Sequence, residues 1–375
     1  MREDPRRASW IWTVGALLLT ACAGPSPSSP FSGWTLRPAH NALYFQEWTR
    51  GDERLLITFG AGGVADTTGI FQLSTDGSFS AGPLRALRLN VPLTRVALQS
   101  TTHASYLSAL GAGASVVACA HADALRDPAL VALRDQGRIT EIATGDGLDR
   151  EQLAVLRPEA LFSYPFGKAA SDRAVPGLVT MEVSEYLEPD PLGRAEWVKL
   201  FGTLLGKERM ADSLFDAIAA RYDSVRGMVA PDAQRPAVFF GSSWKGTWSV
   251  PSGKSYMAKL IADAGAHYLF ADRRSEGNSD IDLETALAVG AKADYWGRIM
   301  AQDRSVTAMD VAGEDVRIMA LPAFTDHHCF SANSAESDLF GQAGLEPDVV
   351  LLDLLGIFHP ELAQGQTPVY FKPVQ

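Results

Sequence analysis

From Val91 onward the chain keeps returning to one unit, a short β-type run followed by apolar residues at helical spacing. Arg95–Gln99 precedes a helical pattern at Ala104–Leu110, and Ala114–Ala118 precedes one at Asp127–Asp135. Ile139–Ala143 precedes Arg150–Leu156, and the runs Ala160–Tyr164 and Leu178–Val183 close the series. Such alternation calls for parallel strands, because each crossover helix returns the chain to the same end of one sheet. A long helical stretch from about Gly193 to Met228 interrupts it. There Trp197, Leu200, Phe201, Leu204 and Leu205 recur at three- and four-residue spacing, as do Leu214, Phe215, Ile218, Tyr222 and Val225. Gly202 and Gly206 are candidate breaks. After Pro236 the alternation resumes, with strands expected at Ala237–Phe240 and Val316–Ala320 and helices at Ser255–Ala264, Asp282–Val289 and Pro347–Leu355. The expected fold class is therefore α/β: an N-terminal lobe over 91–190, a connecting helix region over 191–230 and a C-terminal lobe over 231–375.

The residues ahead of Val91 differ in texture. Arg2, Arg6 and Arg7 precede an apolar run from Trp10 to Ala21, which at 12 residues is too short for a permanent membrane span. Residues 1–21 read as a signal peptide. Its end, Leu19-Thr20-Ala21-Cys22, resembles the lipobox of bacterial lipoproteins, which implies that Cys22 becomes a lipidated N-terminus held to a membrane. Residues 22–35, with the run PSPSSP, form a tether. Residues 36–90 contain short alternating runs, Arg54–Phe59 and Gly69–Leu73 among them, and form a strand-rich N-terminal extension. Gly60-Ala-Gly-Gly63 lacks the lysine and the setting of a phosphate loop, so it reads as a turn.

Charge narrows the partners. Removing three basic and two acidic residues with the signal peptide, from 33 Lys+Arg and 44 Asp+Glu, leaves a net charge of −12. That balance argues against nucleic acid, which would want a basic face. Beyond Cys22 only Cys119 and Cys329 remain, and an exterior location permits them to pair or to stay buried and free.

The two halves echo each other. Leu148-Asp-Arg-Glu151 opens one expected helix and Ile281-Asp-Leu-Glu284 another, each with Asp as N-cap and Glu in the first turn. Capping alone accounts for the pattern; it also gives each lobe one surface carboxylate in a corresponding place.

Several segments carry a family resemblance. Pro92–Leu98 with Thr101-Thr102 and Leu107–Gly111, Leu153–Phe162, Pro191–Gly202, Val250–Ser255 with Leu260–Gly265, and His359-Pro-Glu361 resemble periplasmic binding proteins for iron complexes and vitamin B12. The resemblance covers about residues 91–362 and rests on the order of these segments. It implies two Rossmann-like lobes joined by a stiff helix, with a metal chelate in the cleft. It further implies that Glu151 and Glu284 meet arginines of the permease of an ABC importer. No cofactor of the protein's own is expected; the ligand would be an iron chelate, haem or a corrinoid.

Ligands of open α/β sheets lie beyond the carboxyl ends of strands. Those positions are Thr102, His103, His121, Tyr164, Phe166 and Tyr186 in the first lobe. In the second they are Trp244, Lys245, Trp248, Trp296, Phe324 and His327. So many aromatics suit a broad, apolar ligand. Trp244 and Trp248 stand out, since their Gly/Ser-rich surroundings look like a loop. Asp326-His-His-Cys329 invites a metal reading, but adjacent residues rarely ligate one metal together, so a polar loop is preferred. His103 or His121 could give an axial ligand to haem or a corrin, against the alternative of hydrogen-bonded loop histidines. The common hydrolase and metalloprotease motifs are missing, so the chain reads as a binder and not an enzyme. An extracytoplasmic enzyme and a carrier of bare zinc or manganese remain the alternatives.

Overall fold

A computed structural model describes residues 31–80, 85–145, 147–164, 175–275, 277–313 and 315–374. The expected signal peptide, the Cys22 lipidation site, most of the tether and Phe166 lie outside the described residues.

The extension is a five-stranded sheet of β1 (Thr35–Arg37), β2 (Phe45–Arg50), β3 (Glu53–Phe59), β4 (Thr67–Ser74) and β5 (Leu87–Asn90), ordered as in sequence. Its pairs are antiparallel except the last, β4 with β5.

The first lobe follows. Its sheet holds β6 (Val96–Leu98), β7 (Val116–Cys119), β8 (Thr140–Glu141), β11 (Ala160–Ser163) and β12 (Val179–Glu182), in the order β12-β11-β6-β7-β8 and parallel throughout. A short ribbon of β9 (Ala143–Thr144) and β10 (Gly147–Leu148) leaves its edge. Helices α1 (Ala104–Ala109), α2 (Pro128–Asp135) and α3 (Arg150–Leu156) link the strands.

Two helices make the connector, α4 (Pro191–Leu205) and α5 (Glu208–Arg226). The break falls at Gly206, whose φ of +63° caps α4 in the left-handed region that suits glycine. Gly202 does not break the helix. It lets α5 approach, since a Cβ there would come 2.5 Å from the Cβ of Ala211.

The second lobe repeats the plan with β13 (Ala237–Phe240), β16 (His267–Tyr268), β18 (Tyr295–Met300), β19 (Cys329–Asn333) and an antiparallel edge, β20 (Phe371–Val374). Their order is β16-β13-β18-β19-β20. A separate three-stranded sheet joins β14 (Ser242–Trp244), β15 (Thr247–Val250) and β17 (Ser279–Asp282). The helices are α6 (Tyr256–Asp263), α7 (Leu283–Gly290), α8 (Ala308–Ala312), α9 (Pro322–Thr325) and α10 (Pro347–Phe358).

One expected strand is corrected. Val316–Ala320 forms a 3₁₀ helix, held by the Asp315 carboxylate accepting from the Arg317 backbone amide. Only Ile318 is buried there, so that run lacks the apolar pair that an inner strand would bury. The parallel strand beside β18 is β19 instead, all five residues of which are buried.

The extension is seated on the connector. The carboxylate of Glu196, fully buried on α4, accepts from the backbone amides of His40 (3.0 Å), Asn41 (2.7 Å) and Ala42 (3.0 Å). Glu188 accepts from the amides of Leu43 (2.9 Å) and Tyr44 (3.1 Å) and from Trp197 Nε1 (2.9 Å). Glu47 reaches Arg37 at 3.0 Å and Thr203 Oγ1 at 3.2 Å. Buried carboxylates are tolerated because these donors replace water. Glycine at 193 is required by the same contact, for a Cβ would lie 2.8 Å from the Asn41 carbonyl oxygen. One continuous apolar core then runs from the extension through α4 into both lobes.

Candidate functional site

In each lobe the order of strand connections reverses beside the first strand, between β6 and β11 and between β13 and β18. Ligand crevices form at such switch points, outside the carboxyl ends of the strands. The second switch opens into a cleft of about 810 Å³ between the lobes, with Gly241 and Ser242 in its wall. Facing them are Tyr186–Pro189, at the end of the first lobe, and Arg194 on the first turns of α4. Tyr256 from α6 and Phe340, 62% exposed, add to the aromatic lining. A smaller hollow of about 240 Å³ lies between α1, the start of α2, α5 and the segment around Gln342.

Arg194 joins the halves of the cleft. Its guanidinium carbon sits 4.0 Å above the Tyr256 ring, and its Nη2 donates to the Tyr186 carbonyl at 3.0 Å. The aromatic face beneath the guanidinium attracts its positive charge. Beneath the site Glu185 is buried, and burial alone would oppose its ionisation. His103, 3.7 Å away, Arg194 and the Thr102 hydroxyl at 3.0 Å outweigh this and lower its pKa. Glu188, also in the cleft wall, goes the other way: burial pushes its carboxyl up to about 7 against the pull of its donors.

Tyr186 lines the cleft. Thr102 lies behind the wall on Glu185, and Tyr164 is half-buried at the end of β11. Others stand elsewhere. His103 is fully buried with its ring near Phe201, so it cannot approach a ligand. Trp248 and Trp296 are core residues too. Phe239 stacks on Trp296 at 3.7 Å, Trp248 meets Trp296 edge-on at 5.2 Å, and Phe324 closes the cluster at 5.5 Å. The supposed Gly/Ser-rich loop is the β14–β15 hairpin, and its alternation turns Trp248 inward. Trp244 is 74% exposed beside the turn, and Lys245 occupies the left-handed region at φ 49°. Neither is among the cleft residues.

His121 and His327 are exposed with φ of 57° and 60°, in short turns beside the sheets. The quartet at 326–329 is split, because His328 stacks on Tyr295 at 4.6 Å while Cys329 is buried in β19. Among the described residues no three His, Cys, Asp or Glu side chains gather as a metal site would require. Cys119 and Cys329 are free, and burial raises both thiols to about 12.

The paired glutamates have matching surroundings. Asp149 caps α3 by accepting from the Gln152 amide at 2.9 Å, and Asp282 caps α7 by accepting from Thr285 at 2.7 Å. Each helix feeds the strand beside its lobe's first strand, β11 next to β6 and β18 next to β13. Glu151 and Glu284 are both exposed in their first turns, and Glu284 meets Arg317 at 3.0 Å.

Sequence reasoning missed Arg194, Tyr256 and Phe340. Arg194 reads as an ordinary helix charge, and only the N-terminal Asp190-Pro191 cap placed it near a strand end.

Residues 96–319 match the model of the periplasmic binding protein family. An uncharacterised lipoprotein of Methanocaldococcus jannaschii is 26% identical over 296 residues, which cover 76% of this chain and 69% of the relative. A TroA-like periplasmic binding protein from Veillonella parvula superposes with a TM-score of 0.55 at 17% identity, over 76% of this chain and 96% of its own. A periplasmic haem-binding protein from Pseudomonas aeruginosa gives 0.53 at 17%, over 76% and 98%. At such identities the two structures speak for the fold alone. Together with the family match, they establish that this chain belongs to the periplasmic binding protein family and has its two-lobed α/β fold.

Proposed function

We propose that this protein is the lipid-anchored, substrate-binding component of an ABC importer, and that it captures a metal chelate: a ferric siderophore, haem or a corrinoid. The observation that carries the reading is the 810 Å³ cleft, flanked by Tyr186, Tyr256, Phe340 and the cationic Arg194. Sites for small molecules and cofactors fall at about 300–1,000 Å³ and combine apolar walls with a few polar groups. A bare zinc or manganese ion would want three or four converging imidazole or carboxylate groups instead. A haem-binding protein among the structural neighbours accords with a chelate as ligand, and a lipoprotein among the relatives accords with the lipid anchor. In this reading Cys22 carries the acyl chains, and Glu151 and Glu284 orient the loaded protein on the permease. Exposed charges of that kind act through orientation and on-rate more than affinity.

A thermal-shift panel tests the choice, because a ligand bound only by the folded state raises the melting temperature by mass action. Haemin, cobalamin or a ferric siderophore should raise it in proportion to the logarithm of concentration. A shift from zinc or manganese with none from any chelate would reverse the assignment.

A further inference from the structure

The family match begins at residue 96, yet two cleft residues come from the extension ahead of it, Tyr44 just before β2 and Ala61 just after β3. Their position is built in. The Tyr44 amide donates to Glu188, and its carbonyl accepts from the Phe59 amide at 2.9 Å. The Phe59 carbonyl in turn accepts from the Ser184 hydroxyl at 2.7 Å. The paired start of β2 and end of β3 are thus fixed to residues 184–188, the segment that carries Tyr186 into the cleft. Beyond Phe59 the chain turns at once. Gly60 donates to the Asp66 carbonyl at 2.8 Å, Gly63 donates to the Gly60 carbonyl at 2.9 Å, and Ala61 is left exposed on the bend.

We propose that the N-terminal sheet is a third wall of the ligand cleft, with Tyr44 in contact with the bound chelate and Ala61 setting the clearance above it. The inference rests on the chelate reading and adds a specificity element outside the matched segment. The phenol offers a flat apolar face and one hydroxyl. Burial and the Glu188 carboxylate raise its pKa, so it meets the chelate as a neutral donor and not as a phenolate ligand to the metal. Such a wall favours a broad organic shell with acceptor oxygens at its rim over a compact complex.

The test is equilibrium binding of haemin, cobalamin and ferric enterobactin to the full chain, followed by tryptophan quenching. Tyr44→Ala should weaken the best-bound probe about tenfold, in keeping with loss of a buried aromatic anchor. Ala61→Trp should weaken it by at least as much and should penalise the largest probe most. Ala61 lies on an exposed turn, so this variant keeps the test open should Tyr44→Ala fold poorly. Wild-type binding with both folded variants at equal affinity overturns the third wall and leaves the chelate reading standing. A wild type that holds none of the probes overturns both.

Discussion

At the scale of single residues, buried carboxylates do most to define this molecule. Glu196 satisfies three amides of the incoming segment 40–42, so Glu196→Ala would remove the acceptor of all three, the buried amide of Ala42 among them. Breaking such a buried, hydrogen-bonded charge costs about 3–5 kcal/mol, and urea unfolding should register a loss of that order. A loss under about 1 kcal/mol would show that the extension is not held this way. Glu188 adds a pH signature. Its carboxyl moves from an ordinary 4.5 to about 7, so the folded state holds that proton more tightly than the unfolded chain. Its contribution to stability is therefore complete below about 4.5 and is lost as pH rises through 7. Glu188→Gln should flatten the fall in melting temperature between pH 5 and 8, roughly the window those values define; an unchanged slope would place the titration elsewhere. Neither glutamate could be singled out beforehand. Helical spacing marks the face of α4 that is buried, but nothing local tells a distant loop where to dock. The reverse error struck Trp248, whose glycine- and serine-rich neighbours hid a hairpin that turns its ring into the core, and Trp296, whose place on the inner strand β18 buries it.

At the scale of elements, the repeat of strand and helix was legible because each parallel strand needs a crossover and each crossover a periodic apolar face. Helix α3 matches its expected bounds, and β13 does too. The connector was legible as a helical region, and Gly206 divides it. Gly206→Ala would force a Cβ into the left-handed region, 3.3 Å from the Pro92 ring, and should cost roughly 1 kcal/mol in chemical denaturation. No measurable cost would mean that the break tolerates an ordinary residue. Val316–Ala320 misled because a short apolar run looks the same whether it is a strand or a helical turn. The echo around Glu151 and Glu284 led to topologically matched helix starts, a relation visible because N-caps are written in a few adjacent residues. Glu151→Ala with Glu284→Ala should abolish uptake in whole cells while leaving equilibrium affinity at the wild-type level. Uptake at the wild-type rate would remove both residues from docking.

At the scale of the whole molecule, the continuous core through the extension, the connector and both lobes ties the cleft walls together. Interiors packed in this way move as units, so capture should occur by small closure rather than wide hinging. Small-angle scattering should change little between free and loaded protein; a marked contraction would show a looser joint than the helices provide. The cleft itself was not legible. Its position follows from the switch points, but its lining draws on a connector arginine, a loop phenylalanine and a sheet that the family match does not reach. In the proposed function a bulky chelate is held between the lobes over Arg194. A crystal structure of the protein with its best-bound chelate tests this most directly. The chelate should lie between Tyr186, Tyr256 and Phe340, with an acidic or acceptor group on the Arg194 guanidinium; a chelate seated in the hollow beside Gln342 or on the outer surface of either lobe would overturn that placement.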